Sequence, residues 1–473
     1  MPGILQNAPR QPDMTPATSP VQPAPIGTAW HPRALSRSDP SRGFWINATV
    51  VSGLTAVAKG GGALKTVVIA RLFGTGTDLD AYLLAFLIPS FMADVLCGAI
   101  VPALVPRLIE LIELKSRAAA MELYNSAILR SVVFVGSVAA APALVAGVML
   151  VTHSGGPGTL LACSLLLTML PILPLSALSN VWRATLNANR RFTMAAGVAI
   201  FTPVAIVLSL IVAGRSVYWL AVATTLGALA ETVALALAVR RLKIPLFSPG
   251  SSRWHPGNET PVREYASVAV TNFVLGGTLF LDQSMAAMLG SGAVSILNYG
   301  TRLVPVLIAV GPEALGITLL PRFSQMMVQG GHSQAGPFLK RFLAAAMAGS
   351  AIIAGILIWF SRPIVTFIYQ HGAFAAADAF AVASVQSMSL LQLPFAVGIA
   401  LLIRFVASAR VNRILIPVSA AGLVLNAALN LLLMRKFAVV GIAMATTIAQ
   451  AAVFVILLVA VIRILRRREA LVC

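Results

Sequence analysis

Residues 81–106 read AYLLAFLIPSFMADVLCGAIVPALVP, a stretch in which Asp94 is the one charged side chain. A helix needs about 20 mostly apolar residues to cross the hydrocarbon core of a bilayer, so this stretch predicts a membrane span. The rest of the chain has the same character. Of its 473 residues, 58% are hydrophobic and 10% are charged, and the mean hydropathy is +0.89. Soluble domains are about one quarter charged, so the composition predicts an all-α membrane protein.

Apolar stretches of this kind recur along most of the chain and predict about twelve transmembrane helices. They lie at 46–70, 81–106, 123–151, 159–181, 193–213, 216–239, 264–289, 293–321, 342–360, 377–403, 412–434 and 438–462.

The basic residues indicate how these helices are oriented. The net charge is +19, but the bases lie between the apolar stretches and form no single patch, which argues against a nucleic-acid partner. Alternate loops are rich in bases, as at Arg240, Arg241 and Lys243, whereas the loops between them carry few. Because base-rich loops stay in the cytoplasm, both chain ends are predicted to be cytoplasmic. We expect a multi-pass protein of the bacterial inner (cytoplasmic) membrane.

An internal repeat suggests how the spans are grouped. The segments LFGTGTDLDAYLLAFLIPS at 72–90 and MLGSGAVSILNYGTRLVPV at 288–306 share two glycines and one proline at equal spacing. Each joins the first and second span of a six-span half, and two halves of six spans have the same orientation in the membrane. This predicts two six-helix lobes around a central cavity, the architecture of an alternating-access transporter.

The predicted organisation therefore has five parts. They are a disordered cytoplasmic tail at 1–43, an N-terminal lobe at 44–241, a cytoplasmic linker at 242–262, a C-terminal lobe at 263–466 and a short cytoplasmic tail at 467–473.

Charged residues inside the predicted spans are the candidates for function. Each costs about 2.5–3.5 kcal/mol on insertion, and such residues usually face protein or water. Lys59 and Lys65 flank a glycine-rich turn, so a bent helix would turn both toward a cavity; alternatively, both snorkel to the membrane surfaces. Arg302 suits a bidentate contact with a phosphate, or an ion pair with Asp282 of the preceding helix. The excess of cations indicates an anionic substrate.

Enzyme chemistry has no visible basis in this sequence. It contains no Walker A loop and no GxSxG, HExxH or CxxC motif, and its loops are short. Cys97 and Cys163 lie in apolar stretches and Cys473 ends the chain, which predicts no disulfide and no metal site. We expect a transporter without a cofactor.

Five segments carry a family resemblance. They are ARLFGTGTDLDAYLLAFLIP at 70–89, LNANRRF at 186–192, the stretch 282–321 with GSGAVSILNYGTRL, PIVTFIYQHGAFAAAD at 363–378, and Arg404 with residues 426–430 and 440–442. Together they resemble the MurJ/MviN family of lipid II flippases, in the multidrug/oligosaccharidyl-lipid/polysaccharide exporter superfamily. The resemblance implies a V-shaped two-lobe fold that moves an undecaprenyl-diphosphate-linked saccharide from the cytoplasm to the periplasm.

The family's functional residues correspond in part to this sequence. Its first-helix arginine corresponds to Lys65, its aspartate in the first external loop to Asp80, and its eighth-helix arginine to Arg302. An Arg-Arg pair in the family's second helix corresponds to Ala93 and Asp94 here.

These observations predict one substrate site and several candidate functions. The site comprises Lys65, Arg71, Asp80 and Arg302, with Lys59 and Asp282 as further members. The leading hypothesis is a flippase for lipid II, the peptidoglycan precursor, with membrane lipids and envelope-synthesis proteins as its other partners. The alternatives are a flippase for another lipid-linked oligosaccharide, such as an exopolysaccharide or O-antigen unit, a small-molecule efflux transporter of the same fold, and a non-transporting scaffold.

Overall fold

The computed structural model describes residues 40–113, 117–247, 262–310, 332–408 and 411–469. Every regular element within these ranges is helical, which confirms the predicted all-α fold. Nearly all of the predicted N-terminal tail, and most of the predicted linker, lie outside the described residues.

The first half of the chain, residues 40–247, is built from helices α1 to α9. They are α1 Pro40–Phe73, α2 Thr77–Met92, α3 Ile100–Glu113, α4 Arg117–Val151, α5 Pro157–Met169, α6 Ile172–Ala188, α7 Phe192–Gly197, α8 Phe201–Ala213 and α9 Val217–Arg241.

The second half, residues 262–469, is built from helices α10 to α17. They are α10 Val262–Ala286, α11 Ala293–Gly300, α12 Leu303–Val310, α13 His332–Trp359, α14 Ser361–Tyr369, α15 Ala376–Leu390, α16 Leu393–Ser408 and α17 Leu415–Glu469.

Helix α17 contains two spans. Its backbone leaves the helical region at Ala438, where φ is 48° and ψ is −132°. Gly422 lies against Val453 and Gly441 lies against Leu433, so the two parts run antiparallel. The predicted break between 434 and 438 is therefore confirmed.

The helices are suited to a bilayer. Among the residues that the structure describes, eight helical segments are long and apolar enough to cross a membrane, and α15 with α16, bent by 40°, adds a ninth as one span. With helix α1, the shorter apolar segment Ala293–Ile308 and the second part of α17 each taken as one more crossing, the arrangement agrees with the predicted twelve. Large apolar side chains such as Leu144 and Ile211 are 70% and 72% exposed. This is expected where hydrocarbon surrounds the protein.

The apolar interior is divided into clusters, and the largest lies mostly in the first half. In the first half, Leu108, Tyr124 and Leu173 are fully buried, and the Tyr124 hydroxyl accepts a hydrogen bond from Trp182 Nε1 at 3.0 Å. In the second half, Phe405 belongs to a separate buried cluster. The paired Tyr124 hydroxyl shows how a buried polar atom is accommodated in an apolar core.

A π-helical turn at Ala93–Cys97 separates α2 from α3 within one span. The carbonyl oxygens of Asp94 and Leu96 in this turn accept hydrogen bonds from the second half. Asn272 Nδ2 of α10 donates to the Asp94 carbonyl at 3.1 Å, and the Tyr265 hydroxyl donates to the Leu96 carbonyl at 2.9 Å. The turn therefore connects the two halves of the chain.

Candidate substrate site and the contact between the halves

The two halves meet tightly where α1 ends. The N–H of Ala373 donates to the carbonyl of Arg71 at 2.9 Å. Gly74 and Gly372 adopt positive φ values of 63° and 66°, which favour glycine. A Cβ at Gly74 would lie 2.5 Å from the carbonyl oxygen of Ala373, and one at Gly372 would collide with the carbonyl of Arg71. Both glycines are therefore needed for the backbones to approach this closely.

Asp80 holds the same contact together from the first turn of α2. Its carboxylate accepts hydrogen bonds from the N–H of Gly292 at 2.6 Å and from the N–H of Ser295 at 2.8 Å. These N–H groups lie at the start of α11, in the second half of the chain, where a helix favours negative charge. Asp80 is 7% exposed. Here it caps a helix of the other half.

Aromatic and polar side chains surround this contact. Tyr299 packs against Tyr369 and Phe374, with ring centroids 5.2 and 5.7 Å away. The Thr75 hydroxyl of the first half donates to the carboxylate of Asp378 in the second. Burial raises the pKa of the Tyr369 phenol above its ordinary value, so this side chain stays protonated and neutral.

A small pocket lies between the halves, next to this contact. Its volume is about 90 Å³, and it is bordered by α1, α2 and the region from Asn298 to Arg302. Lys65 and Arg302 both line it, as do the polar side chains of Thr66 and Asn298. None of the residues that border this pocket is acidic. Two cations that border one pocket repel each other, so an anion between them would be stabilised.

Arg71 lies at the rim of this region. Its side chain is exposed and is not among the residues that border the pocket. Its backbone carbonyl, however, accepts the hydrogen bond from Ala373.

Lys59 belongs to a different cavity. It lies six residues before Lys65, which places it about 240° away around the helix. It lines a cleft of about 570 Å³ with Arg183 and Asn187 of α6, and Arg183 is paired with Glu231 of α9. The glycine-rich turn does not bring the two lysines together, because α1 is helical throughout residues 40–73.

Asp282 is the centre of a third polar group, inside the second half. Asn426 and Asn430 donate to one carboxylate oxygen at 3.2 and 2.7 Å, and the Thr446 hydroxyl donates to the other at 2.7 Å. Asp282 is 8% exposed and does not border the pocket that holds Arg302.

The structure thus brings together Lys65 and Arg302 of the six predicted site residues, with Asp80 and Arg71 at the adjoining contact. Sequence reasoning did not identify Asn298 and Tyr299 as part of the pocket. Both lie within the repeated segment 288–306, four and three residues before Arg302, respectively. Helical neighbours at that spacing share a face, which was the available signal.

Sequence comparison identifies relatives with consistent descriptions. A family profile described as "Lipid II flippase MurJ" matches residues 69–472. A "Lipid II flippase MurJ" of Burkholderia cenocepacia is 27% identical over 339 residues, which is 69% of this chain and 66% of that protein. A "Probable lipid II flippase MurJ" of Synechocystis sp. is 27% identical over 431 residues, covering 84% of this chain and 78% of the relative.

Solved structures have the same fold. A lipid II flippase MurJ in an inward closed conformation matches with a TM-score of 0.74 at 20% identity, over 87% of both chains. An inward-facing multidrug transporter of the MATE family, in the MOP superfamily, matches with a TM-score of 0.74 at 11% identity, over 88% of this chain and 96% of that one. The profile covers most of the chain, and its family consists of transporters. This chain therefore belongs to the MurJ lipid II flippase family and is a transporter, not an enzyme.

Proposed function

We propose that this protein is an alternating-access flippase that moves an undecaprenyl-diphosphate-linked saccharide from the cytoplasmic to the periplasmic leaflet. Lipid II, the substrate named for its relatives, is the first candidate. The observation that carries the proposal is the pocket between the halves, which Lys65 and Arg302 share without an acidic residue on its border.

The chemistry of a diphosphate fits these two side chains. A cation inside a membrane protein is costly unless it is paired, and a diphosphate carries enough negative charge for more than one base. Arginine offers two parallel N–H donors to phosphate oxygens, whereas lysine acts as a compact point charge. Hydrogen bonds to charged groups contribute about 1.5–3 kcal/mol each.

The pocket of about 90 Å³ is too small for a lipid-linked saccharide in this arrangement. Binding therefore requires the halves to separate around Lys65 and Arg302. We propose that the halves are the predicted lobes, 44–241 and 263–466, and that they rock about the pocket. With both chain ends cytoplasmic, the contact around Asp80 is the periplasmic one. Its hydrogen bonds must break before a substrate leaves on that side.

A flippase for another lipid-linked oligosaccharide is the second candidate. The observation that favours it lies on the π-helical turn. Ala93 and the exposed Asp94 stand where the resembled family carries two arginines. A carboxylate at that position changes which headgroup the cavity accepts, because it repels phosphates and accepts hydrogen bonds from sugar hydroxyls.

The test is transport by variants of the two cations. We expect Lys65→Ala and Arg302→Ala to insert stably and to lose transport. Arg302→Lys should keep partial activity because it keeps the charge, and Lys65→Arg should be tolerated. Exposed cations elsewhere in the second half, in Arg362→Ala and Lys436→Ala, serve as matched controls and should transport normally.

Two assays separate the candidates. Complementation of a bacterial strain that lacks its own lipid II flippase tests the first candidate. Transfer of labelled lipid II, or of a labelled lipid-linked oligosaccharide, across vesicles compares it with the second. Normal transport by both alanine variants would reject the anionic site and favour a small-molecule transporter or a scaffold.

A further inference from the structure

An apolar groove lies between the two halves at the end of the bundle opposite the Asp80 contact. Its walls are α3 and α4 of the first half and the first turns of α10 of the second. The groove has a volume of about 410 Å³, and its lining is mostly apolar, as at Leu104, Ala127 and Ala266. The helices that form these walls are long and apolar enough to cross a membrane.

One cation, Arg130 of α4, is exposed among these apolar side chains. Its depth follows from Tyr124, whose hydroxyl donates to the carbonyl of Leu246, just beyond the end of α9. Tyr124 therefore lies level with the segment that follows α9, and Arg130 lies about 9 Å further along α4. At that depth an arginine extends toward the headgroup layer while its stem stays in the hydrocarbon.

The lining of the groove distinguishes between the lipids that have a phosphate and an apolar chain. Its apolar side chains suit a hydrocarbon chain, and Arg130, the one charged residue among the described residues that line it, suits a single phosphate. A glycerophospholipid has one phosphate next to its chains, whereas the proposed substrate carries a diphosphate and a saccharide. We propose that the groove binds one acyl chain of an anionic glycerophospholipid, with the lipid phosphate at Arg130.

The position of the groove gives this lipid a structural effect. Tyr265 of α10 lines the groove and also donates its hydroxyl to the Leu96 carbonyl of the first half. A chain in the groove therefore contacts both halves beside an existing bond between them.

Quenching by brominated lipids tests the proposal in the full chain. A fluorophore is attached to Val270→Cys, on an exposed position one turn beyond Ala266, in a Cys473→Ser background; Cys97 and Cys163 are buried. The protein is placed in phosphatidylcholine vesicles that contain a minor fraction of either brominated phosphatidylglycerol or brominated phosphatidylcholine. We expect the phosphatidylglycerol to quench several-fold more strongly.

Three further variants make the result specific. Arg130→Gln should abolish the preference for phosphatidylglycerol, and so should Ala266→Trp, which fills the groove. Arg240→Gln, which removes an exposed cation at the end of α9, should keep it. With the fluorophore moved to Leu144→Cys, 70% exposed elsewhere on α4, the two brominated lipids should quench equally.

The outcomes that overturn the proposal are equally definite. Equal quenching by the two lipids at Val270→Cys would show that the groove has no anionic lipid. A preference that survives Arg130→Gln would remove the phosphate contact. Loss of quenching when polyprenyl phosphate is added at the same mole fraction would assign the groove to the substrate's own chain.

Discussion

Replacing Asp80 with asparagine tests how strongly the halves are held together where α1 ends. The carboxylate accepts two hydrogen bonds from the start of α11, at 2.6 and 2.8 Å, and it is 7% exposed. Hydrogen bonds to a charged acceptor contribute about 1.5–3 kcal/mol each. Asparagine keeps one acceptor oxygen but no charge, so the closed contact should lose about 2–3 kcal/mol. That shifts the equilibrium roughly 30- to 140-fold toward separation.

Spin labels on both sides of the contact measure this shift. Ser154→Cys and Ala377→Cys are exposed positions at the same end of the bundle, one in each half. In Asp80→Asn, pulsed electron resonance should detect a larger population of long distances than in the parent. Asp78→Asn, an exposed acid two residues away in the same helical turn, is the matched control and should match the parent. An unchanged distance distribution in Asp80→Asn would refute the assignment of Asp80 as the cap that holds the halves together.

Three further predictions follow from single features. Gly372→Ala should also open the contact, because a left-handed conformation costs an L-residue about 1–2 kcal/mol and the new Cβ would collide with the carbonyl of Arg71. Gly355→Ala is the control: its Cβ would meet open space, so the spin-label distances should not change. Asp282→Ala should lower the midpoint of thermal unfolding more than Asp282→Asn, since each buried donor left unpaired costs about 1–3 kcal/mol. A single cysteine at Lys243 should react with an impermeant reagent only in permeabilised spheroplasts, and labelling of intact spheroplasts would contradict the predicted orientation.

The helices could be predicted from the sequence because the bilayer imposes a simple rule on composition. A stretch such as 81–106 has too little polarity for any other environment, and the structure places a span there. The π-helical turn inside it was not predictable. Its carbonyls find partners in α10, and such long-range pairing leaves no trace in the hydropathy of a segment.

The candidate site was only partly accessible to the same reasoning. Lys65 and Arg302 were predicted together because both are cations in spans, and the structure places them in one pocket. Charge alone could not separate Lys59 from Lys65, although their spacing along a helix already places them on different faces. Charge alone also could not identify Asp80 as the residue that caps α11, because its partner Gly292 is 212 residues away along the chain.

The π-helical turn at Ala93–Cys97 has a mechanical consequence for the span that contains it. The turn interrupts the regular pattern of backbone hydrogen bonds, so the span consists of two α-helices with a bendable π-helical turn between them. Helix α2, before the turn, carries Asp80 and is attached to the second half at one membrane face. Helix α3, after the turn, forms a wall of the lipid groove near the opposite membrane face. We infer that a bend at this turn lets α2 and α3 change direction independently, so the contacts at the two ends of the span need not break together.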